Sequence, residues 1–383
     1  MSADLALYIH WPFCLAKCPY CDFNSHVRER IPQARFAAAL HRELAWEAAR
    51  LDRRRLGSIF FGGGTPSLMA PETVVDLIAD ATRLFDPLPG LEITLEANPT
   101  SVESEKLAAF RAAGVNRISL GVQSLDPAAL AALGRQHSVT QAIAALELAR
   151  ETFPRVSFDL IYARPGQTLP AWRAELRQAL ALAADHLSLY QLTIEPGTAF
   201  ATRHARGEIV LPDGDDAAAL YTATAEEAAR FGLAPYEVSN YAVPGAESRH
   251  NLAYWRYADY AGIGPGAHGR ISLDGALLAT RRHRAPEVWA ERVERDSHGT
   301  TEQTTLPPAD RAREMLLMGL RLTEGIDEAR FAARTGIALD DAVDHDILHQ
   351  AIEAAYVTRA DGRLTATSEG RLRLDALLAA LVK

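Results

Sequence analysis

All three cysteines of this chain fall within eight residues, in Cys14-Leu15-Ala16-Lys17-Cys18-Pro19-Tyr20-Cys21. A disulfide framework needs an even number of cysteines spread along the sequence, so none is available here. One short C-x3-C-x2-C loop can instead present three thiolates around a single centre. A four-iron, four-sulfur (4Fe–4S) cubane held this way keeps one iron without a protein ligand, and that iron can take a substrate. The alternative is zinc, with His10 or His26 as fourth ligand. Zinc sites usually bring their ligands as two separated pairs, so the spacing favours the cluster. An open cluster is oxygen-labile and needs reduced thiols, which predicts a cytoplasmic setting.

Composition narrows the class further. The 48% hydrophobic content supplies ample core for 383 residues. A net charge of −9 argues against nucleic-acid binding and against a basic membrane-surface protein. No apolar run reaches transmembrane length, and Met1-Ser2-Ala3-Asp4 does not open a signal peptide.

Short apolar runs alternate with amphipathic helical stretches through the first half, the pattern of parallel βα units. Strands are predicted at Leu5–His10, Ser58–Gly62, Leu91–Ala97, Arg117–Gln123, Val156–Tyr162 and Leu187–Leu192. Helices are predicted at Gln33–Arg53, Pro71–Phe85, Glu103–Ala113, Thr140–Glu151 and Ala171–Ala183. Six repeats fall short of the eight that close a TIM barrel, so the expectation is an α/β fold with a partial (β/α)6 barrel over residues 1–205. Functional groups in such a barrel belong at the C-terminal ends of its strands. Residues 206–305 form a looser extension. Residues 306–383 read as a small helical, winged-helix-like domain, with helices over Ala309–Thr323, Asp327–Thr335 and Asp340–Ala355 and a hairpin over Val357–Leu364 turning at Asp361-Gly362. It lacks a basic recognition helix, which favours a packing or lid role over DNA binding.

The candidate site residues sit at predicted strand ends. Gly62-Gly63-Gly64-Thr65 follows the second strand, where glycines permit close backbone approach to a ligand. Glu96 ends the third strand before Pro99, Gln123 ends the fourth, and Arg135 stands in Gly134-Arg135-Gln136-His137. Asp159 places a charge inside an otherwise apolar strand, which is costly unless it is paired or bound to a ligand. The segment Gly262-Ile263-Gly264-Pro265-Gly266-Ala267-His268-Gly269 imitates a dinucleotide fingerprint but lacks the βαβ setting and carries a proline. It reads as a cavity wall, with His268 a cavity residue. Arg281-Arg282-His283-Arg284 reads as a solvated loop or as partners for the carboxylates of a ligand. Arg53-Arg54-Arg55 reads as a helix C-terminus.

The cysteine run coupled to the glycine segment resembles the radical S-adenosylmethionine (radical SAM) proteins, in which the open iron chelates the methionine end of SAM. Tyr8-Ile9-His10-Trp11-Pro12-Phe13-Cys14, Glu96-Ala97-Asn98-Pro99, Gly121-Val122-Gln123-Ser124 and Asp159-Leu160-Ile161-Tyr162 narrow the resemblance to the coproporphyrinogen dehydrogenase superfamily. That resemblance implies SAM contacts by Tyr8, Gly63, Gly64, Thr65, Glu96, Gln123, Arg135 and Asp159. The dehydrogenase branch carries a further cysteine two residues after the third; Phe23 stands there in this chain. The haem-chaperone branch lacks that cysteine and carries His-Asn-x-x-Tyr-Trp, matched by His250-Asn251-Leu252-Ala253-Tyr254-Trp255. An imidazole suits haem iron, and flat aromatic side chains suit a porphyrin. The resemblance therefore implies a 4Fe–4S cluster on Cys14, Cys18 and Cys21, SAM, haem at the second motif, and apo-haemoprotein clients such as respiratory cytochromes. Cluster and SAM are open to other uses besides SAM cleavage, namely regulation or the formation of a homodimer. The alternative activity is oxygen-independent oxidative decarboxylation of porphyrinogen propionates.

Overall fold

The computed structural model describes residues 4–100 and 104–383. Strands β1 (Leu5–Trp11), β2 (Arg55–Gly63), β3 (Asp86–Ala97), β4 (Arg117–Gln123), β5 (Arg155–Tyr162) and β6 (His186–Gln191) lie side by side in chain order, all parallel. Helices α1 (Gln33–Leu51), α2 (Pro71–Leu84), α3 (Leu107–Ala112), α4 (Val139–Thr152) and α5 (Leu169–Leu182) form the crossovers. The expected start of the third helix at Glu103 lies outside the described residues. Local signals set several helix starts. Ser138 and Gln141 form a capping box on α4, and Thr168 caps α5.

The extension supplies strands to both edges of this one sheet. Beyond β6 run β7 (Ala234–Pro235) and β8 (Asn240–Ala242), antiparallel. Beyond β1 run β9 (Asp259–Ile263), β10 (His268–Leu273), β11 (Ala276–Arg282) and β12 (Thr300–Thr305), giving twelve strands in all. β9 is parallel to β1, so seven parallel strands stand together, one more than the sequence pattern predicts. Between β8 and β9, helix α7 (Arg249–Trp255) crosses to β2, after α6 (Gly214–Arg230).

Two basic segments correct the sequence reading. α1 ends at Leu51, so Arg53 pairs with Asp86, Arg54 with buried Asp259, and Arg55 opens β2. Arg282 is not in a solvated loop; it ends β11 with no exposure. Its guanidinium meets the equally buried Glu43 and Glu47 of α1. Glu43 also accepts from the backbone N–H of Gly264 (2.8 Å) and Gly299 (2.6 Å) and from Trp289 Nε1 (2.9 Å), on α8 (Pro286–Asp296).

The C-terminal domain has its own core, including Leu316, Phe331, Val343, Leu364 and Leu381. The predicted helix over Asp340–Ala355 is two, Leu339–Ala342 and His345–Glu353. Val343 turns extended to bridge Val382, and Asp344 caps the second piece. The hairpin turns at Asp361-Gly362, both at positive φ, between Val357–Ala360 and Arg363–Ala366. Arg334–Asp259, Arg270–Glu314 and Arg321–Glu237 ion pairs tie this domain to the barrel. No described helix is long and apolar enough to cross a membrane.

Removing Arg282 would leave buried Glu43 without a partner cation and Glu47 with only its longer contact to Arg50 (3.5 Å). Arg282→Ala is expected to destabilise the chain by about 3–5 kcal/mol, read by urea denaturation. A loss below about 1 kcal/mol would show that the buried cluster is not what holds β11 on α1.

Candidate functional site

The end of β1 runs directly into the cysteine loop, and the end of β2 packs against both. Gly64 N–H donates to Trp11 O (2.7 Å) and Thr65 N–H to Phe13 O (2.8 Å). Gly63 has φ +114, and a Cβ there would lie 2.5 Å from the His10 ring. A Cβ on Gly64 would lie 2.7 Å from Phe13 O. Glycine is thus required by close approach within the protein as well as by any ligand. Thr65 Oγ1 donates to Cys14 Sγ (3.4 Å), and Arg135 donates to Cys18 Sγ (3.4 Å), Asn98 Oδ1 (2.5 Å) and Gly121 O (2.7 Å).

A cavity of about 400 Å³ opens at this C-terminal end of the strands. Cys14, Cys18 and Cys21 line it together with Gly63, Gly64, Thr65, Glu96, Gln123, Arg135 and Asp159. Residues drawn from β2, β3, β4 and β5 and from the cysteine loop therefore line one cavity. The sequence reading missed Asn98, Ser119 and Tyr190, which also line the space. Asn98 stood inside the Glu-Ala-Asn-Pro segment and was legible there. Gln123 adopts φ +70, a left-handed conformation uncommon outside glycine, as β4 ends.

The cavity is electrostatically unbalanced. Removal from bulk water, together with nearby Asp159, pushes the Glu96 carboxyl up to about 8 against the pull of the Gly63 N–H. Burial likewise raises Asp159 to about 6, although Ser188, Ser119 and Arg135 oppose the shift. A ligand carrying positive charge would relieve both.

Of the two histidines that could complete a zinc site, His10 is engaged and His26 keeps an unpartnered Nε2. His10 is buried, with Nδ1 bonded to Tyr8 OH (3.0 Å) and Nε2 to Asn24 O (2.9 Å), leaving no ring nitrogen to coordinate. Among the described residues no three His, Cys, Asp or Glu side chains are close enough to share one ion.

Tyr8 does not line the first cavity. It lines a second one of about 350 Å³, with His10, Phe23, Asn24, Gly63, Glu96, Tyr254, Tyr260, His268 and Arg284 among its walls. Of the His-Asn-x-x-Tyr-Trp segment, Tyr254 alone lines either of these two cavities. The segment forms α7, which closes the barrel near the N-terminal ends of the strands. Ser248 caps it, and Glu92 accepts from Ser248 Oγ and His250 N–H while pairing with buried Arg117. His250 is only 3% exposed, bonded through Nδ1 to Ser58 Oγ (2.9 Å) and stacked on Phe60. Its Nε2 has no hydrogen-bond partner. Burial holds His250 neutral, down to about 3. Asn251 bonds Tyr236 OH (3.3 Å), and the Trp255 ring lies under Arg321.

Fold and site together define a radical SAM protein. The family model for the radical SAM superfamily matches residues 8–179, and that for the HemN C-terminal domain matches residues 306–373. The coproporphyrinogen III oxidase of Escherichia coli, a radical SAM enzyme, superimposes with TM-score 0.82 over 99% of this chain and 90% of its own, at 22% identity, and so shares the fold. The protein named heme chaperone HemW of Escherichia coli is 39% identical over 98% of this chain and 97% of its own. That of Bacillus subtilis is 35% identical over 92% and 94%. The mitochondrial radical S-adenosyl methionine domain-containing protein 1 of Bos taurus is 44% identical over 85% and 75%. The chain belongs to the HemW family of radical SAM proteins.

The raised Glu96 pKa has a signed consequence for the metal-free protein. Its folded pKa lies above the ordinary carboxyl value of 4.5, so the folded chain holds the proton longer than the unfolded one. Stability is full below about 4.5, falls as pH rises towards 8, and is flat beyond. Glu96→Gln is expected to gain stability over the wild type across that window, measured by denaturation at pH 5, 6, 7, 8 and 9. A pH-independent difference would show that Glu96 is not held protonated.

Proposed function

We propose that the protein binds haem, a 4Fe–4S cluster on Cys14, Cys18 and Cys21, and SAM, and delivers the haem to apo-haemoproteins such as respiratory cytochromes. The observation that carries this reading is Phe23. It occupies the position where the dehydrogenase pattern has a further cysteine, it is 58% exposed, and it lines both cavities. Full-length similarity to proteins named heme chaperone HemW supports it.

The first cavity fits cluster and SAM on chemical grounds. Three thiols share a wall with the Glu96 and Asp159 carboxyls, and SAM carries a sulfonium and an ammonium. When bound, the cluster supplies an open iron and a transferable electron. Arg135 and Thr65 hold Cys18 and Cys14 by donating to their sulfurs. An ammonium only donates, so it would call on acceptors such as carbonyl oxygens and Glu96, not on the N–H groups of Gly64 and Thr65, which donate to backbone. Free thiols and an oxygen-labile cluster suit the cytoplasm.

Anaerobic reconstitution with iron and sulfide is expected to give iron–sulfur absorbance that any of Cys14→Ser, Cys18→Ser or Cys21→Ser abolishes. The reconstituted protein preloaded with haem should restore activity to an apo-haemoprotein faster than free haem does. Conversion of coproporphyrinogen III to protoporphyrinogen at a catalytic rate would overturn the carrier reading.

A further inference from the structure

The second cavity is the better place for the iron porphyrin than the His-Asn-x-x-Tyr-Trp segment. We propose that haem seats there with His268 as axial ligand and with Arg284 and Arg281 facing its propionates; the proposal rests on the haem-carrier reading.

A protein-bound haem needs a neutral imidazole with room beside it, flat apolar walls, and cations for two propionates. His250 offers an unpartnered Nε2 but no room. It is sealed under Phe60, and its helix is pinned at the N-terminus through Glu92 to Arg117. Of the twelve histidines in the chain, His10 and His268 are the ones that line these two cavities. His10 has both nitrogens engaged. His268 is exposed at the start of β10, and its Nε2 takes only a long 3.4 Å contact from Arg281 Nε, which a metal would displace. Desolvation first, then Arg281 and Arg270, hold its imidazole below the usual range and so neutral.

The remaining requirements are met around it. Tyr8, Tyr254 and Tyr260 give aromatic walls, and Phe23 stands at the rim shared with the first cavity. Arg284 lines the cavity, is exposed, and makes no ion pair among the described residues. Arg281 lies opposite His268 in the β10–β11 register, and its carboxylate partner is the exposed Glu302 at 3.6 Å. Propionates can take both guanidiniums without dismantling a buried network. A volume of about 350 Å³ is at the small end for a ligand site, so one edge of the macrocycle stays in solvent, as transfer to a client requires.

The test titrates hemin into the full-length protein and its variants, following the Soret band, low-temperature electron paramagnetic resonance and Kd. Wild type should show an imidazole-ligated spectrum. His268→Ala should lose that signature and weaken binding at least tenfold, and added imidazole should restore the spectrum. Arg284→Ala should weaken binding and leave the spectrum unchanged. If His268→Ala matches wild type while His250→Ala loses the signature, the site assignment is overturned and the carrier reading stands. If wild type itself does not bind hemin stoichiometrically, the carrier reading falls and takes the assignment with it.

Discussion

The contact between the end of β1 and the end of β2 is the constraint on which the functional end of this molecule depends. Two backbone hydrogen bonds, Gly64 to Trp11 and Thr65 to Phe13, lay the glycine segment along the start of the cysteine loop. They form only because Gly63 and Gly64 have no Cβ to strike the His10 ring and the Phe13 carbonyl. From that seam the cysteine loop is launched over the strand ends, Thr65 reaches Cys14, and Gly63 N–H reaches Glu96. The opposite flank relies on the same device. Gly264, at φ +96, approaches His10 O, and its N–H is fixed by Glu43. The terminus of β1 is therefore clamped between two glycine turns, one from β2 and one from β9.

The clamp determines the electrostatics. It brings Glu96 and Asp159 into one cavity whose nearest cation, Arg135, is already divided among Cys18, Asn98 and a carbonyl. Two acids so placed cannot both ionise cheaply in the absence of added positive charge. A chain selected for stability alone would carry neutral residues there. The imbalance is what a site for a cationic ligand looks like before the ligand arrives.

Much of this was legible in the sequence because its signals were local. Cysteine spacing, glycine runs and polar residues at strand ends all sit on the elements that make the site, and β4 runs from Arg117 to Gln123 as the hydrophobic pattern indicates. What escaped depended on long-range pairing. Asp259–Ile263 looks like the lead-in to a glycine-rich turn, and only its pairing with β1 makes it the seventh parallel strand. Arg282 sits in a run of cations that reads as solvated, and two glutamates on distant α1 bury it. His250 shares this origin. Its motif suggests an accessible ligand, yet Ser58 and Glu92 draw the helix into the barrel floor.

The two cavities are not independent. Gly63, Glu96 and Phe23 line both, and Tyr8, whose hydroxyl sits on His10, feels the charge of Glu96. His10 passes the contact to Asn24, whose amide in turn holds Pro265 O and Arg284 O. A positive ligand in the first cavity would ionise Glu96 and so change the field at Tyr8 and along this chain of hydrogen bonds. Any occupant of the second cavity would rest on Phe23, in the segment immediately following Cys21. The two cavities thus share one carboxyl group and one loop.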